Sequence, residues 1–257
     1  MKAKTPISDH ADHFLKRATE LLQEVLQEEK KVVQRVAKIF SKAIVKDRLI
    51  HVFGVGGHSV IGCEEFFWRA GGLACINPLF DFSLMLSGGG VKSTMLERTP
   101  GVGDKVVKAH GVKAGDVLVI TSIYGMNAAT IDAALEAKKR KATVVAITSV
   151  DHAKKTPKNF PARHPSKKNL FEIADIVVNN HVPHGDSTIP VKGVVVPMGS
   201  VSTILVSFCI QWIVMETAAF LAKQGKRPPI WLSANVPGGD EINKDLMEKY
   251  LPRVKLL

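Results

Sequence analysis

The sequence predicts an α/β fold in which a parallel sheet is covered by helices on both faces. Short apolar runs at 49–55, 116–122, 143–148 and 175–179 alternate with stretches of helical period, the order that builds strand–helix–strand crossovers. These runs are apolar almost throughout rather than at every second residue, as expected for strands buried on both sides. Several end in glycine, hydroxyl and amide residues just before a helix begins. A chain of 257 residues, 46% hydrophobic, has ample material for one large α/β domain with helical extensions.

Along the chain, apolar residues at Leu15, Ala18, Leu22, Val25, Val32, Val36, Phe40 and Ile44 recur near the helical period and predict one long helix, or two in line, from Ser8 to about Val45. The polar residues 27–31 interrupt the stripe. A helix this long must bury its face on the sheet domain or on a second subunit. Residues 1–46 are therefore read as a helical extension and 47–257 as the core domain. Strand 49–55 leads to a helix at 59–70 that Gly71 and Gly72 stop. A short strand follows at 73–76, then an irregular stretch at 77–103 containing Gly88, Gly89 and Gly90, and a short helix at 104–110. Strand 116–122 precedes a helix at 127–140. After strand 143–148, a polar loop is expected at 151–168, where Pro157, Pro161 and Pro165 lie. Strand 175–179, a long apolar helix at 199–223 and a last helix at 240–250 complete the chain.

Ligands of open α/β sheets bind beyond the carboxyl ends of the strands. The first such end here is the turn Gly54, Val55, Gly56, Gly57, His58, Ser59. Its glycines allow a tight turn, and Ser59 stands at the expected N-cap of the next helix. A helix start presents unpaired N–H groups and partial positive charge, which makes it a phosphate cradle. Further candidates are the loops 121–127 and 179–187 and the helix start 199–203. Other nucleotide and nucleophile signatures fit poorly. No G-x-x-x-x-G-K-[ST] string occurs. The G-x-G-x-x-G pattern fails at Ser59, and no strand-end acid follows at ribose spacing. The G-x-S-x-G pattern lacks its second glycine. His181 and His184 share a loop without the partners a metal site needs.

Gly57-His58-Ser59, followed by Glu64-Glu65 and Arg69-Ala70-Gly71-Gly72, resembles the family of SIS (sugar isomerase) domain proteins, in its phosphosugar-binding subgroup. Residues 122–127 are similar to that family's second loop, commonly S-x-S-G-x-T, with Asn127 in last place. His164 to Lys168, His184-Gly185-Asp186 and Ser233 to Val236 look like subgroup features. Tyr124 departs from the pattern, replacing a small hydroxyl with bulk. The resemblance spans nearly the whole chain. It implies a three-layer αβα sandwich with a mainly parallel, flavodoxin-like sheet. It also implies a phosphorylated sugar as ligand, and a homodimer or homotetramer with sites near subunit interfaces.

On this basis Gly56, Gly57, His58, Ser59, Thr121, Ser122, Gly125, Asn127, Ser200 and Ser202 are the expected substrate-binding residues. The expected reaction is aldose–ketose isomerisation of a sugar phosphate through an enediolate, without metal or other cofactor. It needs a carboxylate base near C1 and C2. The resemblance gives that part to Glu65, whose bland alternative is an i,i+4 ion pair with Arg69. His184 is the expected acid or ring-opener. The alternatives are a non-catalytic phosphosugar sensor, and a lyase or etherase on a phosphorylated amino sugar, ranked last because no second glutamate is evident near the loops. No helix-turn-helix is appended. Trp212, Trp231 and Cys63 read as core.

The formal charge of +11 is spread over scattered lysines and arginines, with only 6% aromatics, so no nucleic-acid stripe is expected and the field suits anionic metabolites. Three cysteines without a C-x-x-C pair, and no apolar segment behind Met1–Pro6, predict a reducing, cytoplasmic setting. The apolar run 204–215 is too short for a bilayer span, and no membrane partner is expected.

Overall fold

A computed structural model describes residues 9–257. The predicted start at Ser8 lies outside them. Helices α1 (Asp9–Glu28) and α2 (Lys30–Val45) follow one another, broken where the polar residues 27–31 interrupt the apolar stripe. Strand β1 (Ile50–Gly54) and helix α3 (Ser59–Phe66) come next, then β2 (Ile76–Pro78). Two 3-10 turns lead to α4 (Gly90–Glu97) and α5 (Gly103–Ala109). Then follow β3 (Val117–Thr121), α6 (Ala128–Lys139), β4 (Thr143–Thr148), α7 (Val150–Lys155), α8 (Leu170–Ile173) and β5 (Ile176–Asn179). A small hairpin, β6 (Ser187–Ile189) with β7 (Met198–Ser200), precedes α9 (Ser202–Lys223) and α10 (Gly239–Tyr250).

The main sheet is parallel throughout, in the order β2-β1-β3-β4-β5. Alternate strand residues feed two cores, which is what makes three layers. Val52, Val119, Val145 and Ile147 join residues of α2, α3 and α9 on one face. Phe53, Leu118, Ile120, Val144 and Ala146 join α5 and α6 on the other. Leu21, Val25, Val33, Val36 and Phe40 lie in the first of these cores, so α1 and α2 bury their stripe on the sheet domain of their own chain.

Helix α9 is long and apolar enough to cross a membrane by length and composition, longer than the apolar run alone suggests. About half of it is buried, with Leu205, Cys209, Ile210 and Ile213 in the first core and its most extensive packing against α2. Cys63, Cys75 and Cys209 are all buried and unpaired, and burial pushes each thiol up to about 12. They pack as small apolar groups. Trp212 and Trp231 are buried as expected, the latter edge-on to the exposed Trp68 at 4.8 Å.

Several expectations need correction. The helix expected at 59–70 ends at Phe66, after which Trp68 takes a positive φ of 51°. The strand expected at 73–76 falls at Ile76–Pro78 instead. Leu73 bridges Ile230 and Ala74 N donates to the Pro229 carbonyl, so this apolar run pairs away from β1. The irregular stretch contains α4, which begins just after Gly89 turns the chain at φ 110°. The polar loop at 151–168 begins inside α7, where Ser149 caps the helix by accepting from His152 N at 3.1 Å. The Arg163 guanidinium then ties the loop down, donating to the carbonyls of Ala153, Thr156 and Pro157 and to Asn169 Oδ1.

Candidate functional site

The strand order places a switch point between β1 and β3, from which the chain crosses to opposite sides of the sheet. Open α/β sheets hold ligands there. Gly54 and Thr121 are register partners at the two carboxyl tips. A Cβ on Gly54 would overlap the Ser59 carbonyl and the Thr121 hydroxyl, and one on Gly62 would come 2.8 Å from Thr121 Cβ. Glycine at both positions lets α3 lie close against β3. The Thr121 hydroxyl donates to the Ser59 carbonyl at 2.8 Å and fastens the start of α3 to the strand tip.

Above these tips a cavity of about 190 Å³ opens. Of the expected binding residues, Gly56, Gly57, His58, Ser59, Ser122, Asn127 and Ser202 line it. Ser59 opens α3 rather than capping it. The cap position is His58, whose side chain makes no capping bond. Ser59 Oγ instead reaches the second loop, accepting from Ile123 N at 3.4 Å. Asn127 does cap α6 by position, yet its side chain leaves the helix N–H groups free, donating to Glu97 Oε1 at 2.8 Å. Two helix starts therefore meet the cavity without a side-chain cap. At α3 the Ser59 and Ile61 N–H groups donate to the Gly56 and His58 carbonyls, so an anion meets the first-turn N–H groups of α6 and the dipoles of both helices.

Other expected residues lie elsewhere. Thr121 is fully buried, its hydroxyl spent on Ser59. Gly125 shapes the second loop at φ 58°, its missing Cβ facing Thr148 and Leu170. Ser200 sits in β7, its hydroxyl 3.3 Å from that of Ser187. Glu65 lies on the side of α3 that meets α9, ion-paired with Arg69 at 2.9 Å and accepting from Gln211 Nε2 at 2.6 Å. The bland i,i+4 pairing is therefore present, and Glu65 does not line this chain's cavity. His184 stands two rings behind the wall. Tyr124 lines the cavity and stacks on His152 at 3.8 Å, and His152 stacks on His184 at 4.5 Å. Burial, with His184 adding to it, pushes His152 down to about 4. His181 ties the helical layer to β5, bonded to Glu24 Oε1 at 2.9 Å and Glu29 Oε1 at 3.3 Å. Among the described residues, no group of three or more metal-ligating side chains is arranged to hold an ion.

The cavity also contains groups that the sequence motifs did not single out as site residues. Glu97, at the end of α4, lines it beside Gly56. Burial raises its pKa above the usual carboxylate range, against the pull of Arg98 and the Asn127 bond. Its one sequence signal is the absence of glycine and proline from 91–97, which permits a helix. Asp186 reaches in from the loop after β5 and caps α9, accepting from Val201 N, Ser202 N and Ser202 Oγ at 3.0, 2.8 and 2.7 Å. The hydroxyl of Ser202 is thus engaged by Asp186. No lysine or arginine lines the cavity among the described residues, so backbone dipoles supply the positive potential at its wall.

The SIS domain model matches residues 13–149, a span that holds both glycine and hydroxyl loops and Glu97. A UPF0309 protein of Geobacillus thermodenitrificans is 37% identical over 246 residues, covering 96% of this chain and 97% of its own length. The solved phosphoheptose isomerase GmhA of Neisseria gonorrhoeae superposes with a TM-score of 0.53 at 21% identity, over 83% of this chain and 96% of that one. The Vibrio vulnificus NanR protein complexed with ManNAc-6P superposes with a TM-score of 0.51 at 16% identity, over 92% and 69%. At such identities the two structures speak for the fold: a five-stranded parallel sheet between helical layers. The domain match, the full-length relative and the switch-point loops agree, and the chain belongs to the SIS-domain family.

Proposed function

We propose that the protein is a metal-independent aldose–ketose isomerase of a sugar phosphate, with Glu97 rather than Glu65 as the base. The observation that carries this reading is a half-buried carboxylate, its pKa raised by burial, that lines one switch-point cavity together with Ser59 and Ser122. The phosphoryl group sits on the uncapped starts of α3 and α6 and takes the hydroxyls of Ser59 and Ser122. Its charge is met by N–H dipoles. The sugar carbons then lie toward Glu97, whose carboxylate removes the C2 proton as the C1 oxygen takes up a proton. It then returns that proton to C1 as the C2 hydroxyl gives its own proton up, so that the two oxygens exchange one proton in balance. A carboxylate with an elevated pKa is the stronger base once ionised and also holds the proton in transit. Tyr124 closes one wall, held by its stack on His152. The neighbour named as phosphoheptose isomerase supports the reaction class.

The test is a panel of sugar phosphates, screened by thermal stabilisation and then followed in D2O by proton NMR. Isomerisation through an enediolate exchanges the C2 proton with solvent. Glu97→Gln should bind the stabilising sugar and show no exchange. Exchange at the parent rate in that variant would sink the assignment of the base. The same spectra read the alternatives. Binding without exchange indicates a sensor, as suggested by the neighbour complexed with ManNAc-6P and by the separation of the exposed His184 from the cavity by Tyr124 and His152. Release of an acid fragment indicates an etherase, for which Glu97 supplies the carboxylate the sequence lacked near its loops.

We further propose that the protein pairs through α9. Ile204 and Met215 are exposed on one stripe of this helix, with the half-buried Phe208 between them. Gln211 on the same stripe holds Glu65, so Glu65 reaches a site only through a second copy docked on this face. A monomeric mass in light scattering at high concentration would remove both ideas.

A further inference from the structure

A second cavity, of about 420 Å³, opens at the opposite, amino end of the sheet. His51 and Asn77 are register partners on β1 and β2, and Asp116 immediately precedes β3. The Asp116 carboxylate receives Arg48 Nη1 at 3.0 Å and Lys113 N at 2.9 Å, and lies 3.4 Å from His51 Nε2. His51 Nδ1 is 2.9 Å from Asn77 Nδ2. With Nε2–H turned to Asp116, Nδ1 accepts and the amide donates. That arrangement uses every group of the relay except Asn77 Oδ1, which is buried and has no partner. Asn77 is only 4% exposed and lines the cavity. His110 Nδ1, on the same lining, is likewise buried without a partner. A buried acceptor left unpaired is costly, and native folds rarely keep one.

The rim is cationic. Arg48, Lys113, Arg253 and Lys255 line the cavity against the carboxylates of Asp47 and Asp116. Burial lowers the pKa of both His51 and His110, so the histidines add no charge at neutral pH. An occupant must therefore bring a hydrogen-bond donor to the floor, where Asn77 Oδ1 can only accept, and negative charge to the rim. We infer that this cavity is a second ligand site, for a small hydroxylated anion such as a sugar acid or sugar phosphate. It would place a hydroxyl on Asn77 Oδ1 and its anionic group between Lys113, Lys255 and Arg48. The inference does not rest on the proposed isomerase. The two cavities stand at opposite ends of β1, roughly 13 Å apart along the strand from His51 to Val55.

The ring signals of His51 and His110, assigned by glutamine variants, report on this site by NMR. The probes are 6-phosphogluconate, carrying both hydroxyls and charge, inorganic phosphate, carrying charge alone, and sorbitol, carrying hydroxyls alone. The expected result is a saturable shift of both histidines with 6-phosphogluconate at a Kd of about 1 mM or tighter. Phosphate should bind at least about tenfold more weakly, and sorbitol should move neither signal. Lys113→Ala with Lys255→Ala, both exposed, should weaken 6-phosphogluconate about tenfold or more. Ser59→Ala with Ser122→Ala in the upper cavity should leave it unchanged. No saturable shift up to about 20 mM would overturn the site. So would shifts that vanish with the serine pair but survive the lysine pair. Equal binding of phosphate and 6-phosphogluconate would overturn the hydroxyl contact and with it the ligand class.

Discussion

Replacing Gly54 by alanine strikes the contact that places the start of α3 over the strand tips. The new Cβ would fall well inside the 3.0 Å that real Cβ atoms keep, against the Ser59 carbonyl oxygen and the Thr121 hydroxyl. One of these is backbone and the other is fully buried, so neither can swing away. Helix and strand must part. Overpacking of this kind costs about 1–3 kcal/mol, and loss of the Thr121–Ser59 hydrogen bond adds about 1 kcal/mol. The stiffer unfolded chain returns about 0.5–1 kcal/mol. The net cost is about 1–3.5 kcal/mol, which in a chain of this size lowers Tm by roughly 2–14 °C. Urea unfolding with an unchanged m-value measures it. Gly57→Ala is the comparison, since nothing stands within 4 Å of its Cβ. Its cost is the strain of φ 43°, about 1 kcal/mol. Thr121→Ala in the Gly54→Ala background should recover only part of the loss, because the Ser59 carbonyl remains in the way. If Gly54→Ala unfolds within about 0.5 kcal/mol of the parent, the close approach of α3 to β3 is not what demands glycine there.

Other outcomes follow from the site and its supports. His152 is held near 4 against 6.5 in the unfolded chain, so the unfolded state takes the proton first as pH falls. Stability should drop on the order of 2–3 kcal/mol between pH 6.5 and 4, and His152→Gln should flatten that part of the urea–pH profile. For Glu97 the sign is opposite. Its raised pKa makes the folded state hold the proton longer, so its contribution is present at acid pH and is lost as pH rises through the folded value. Glu97→Gln should therefore gain stability relative to the parent as pH rises, read from paired melting curves. Arg163→Met removes four hydrogen bonds from a guanidinium in a residue only 8% exposed and strands the carbonyls it serves. A loss of about 3 kcal/mol and faster proteolysis within 151–168 are expected. Unchanged cleavage would show the loop is held by other contacts.

The amino-acid order alone determined the parallel sheet, because strands buried on both faces must be apolar at every position, and it determined the two switch-point loops, because only glycine and small hydroxyl residues suit tight turns before helices. Gly57, Ser59, Ser122 and Asn127 were legible for that reason. The helix at 90–97 was not, since Gly88, Gly89 and Gly90 read as loop while the last of them opens a helix. Nor were the roles of Glu97 and Asp186. A carboxylate is ordinary on any surface, and what sets these two apart is long-range packing. Glu97 meets Asn127 because α4 packs against α6, and Asp186 meets Ser202 because the loop after β5 closes on α9. Glu65 shows the converse. The resemblance gave it the part of a base while its local i,i+4 spacing gave an ion pair with Arg69, and the turn of α3 aims it at Arg69 and Gln211, because a helix shows its sides to different layers. Which side faces which layer depends on how the whole chain packs.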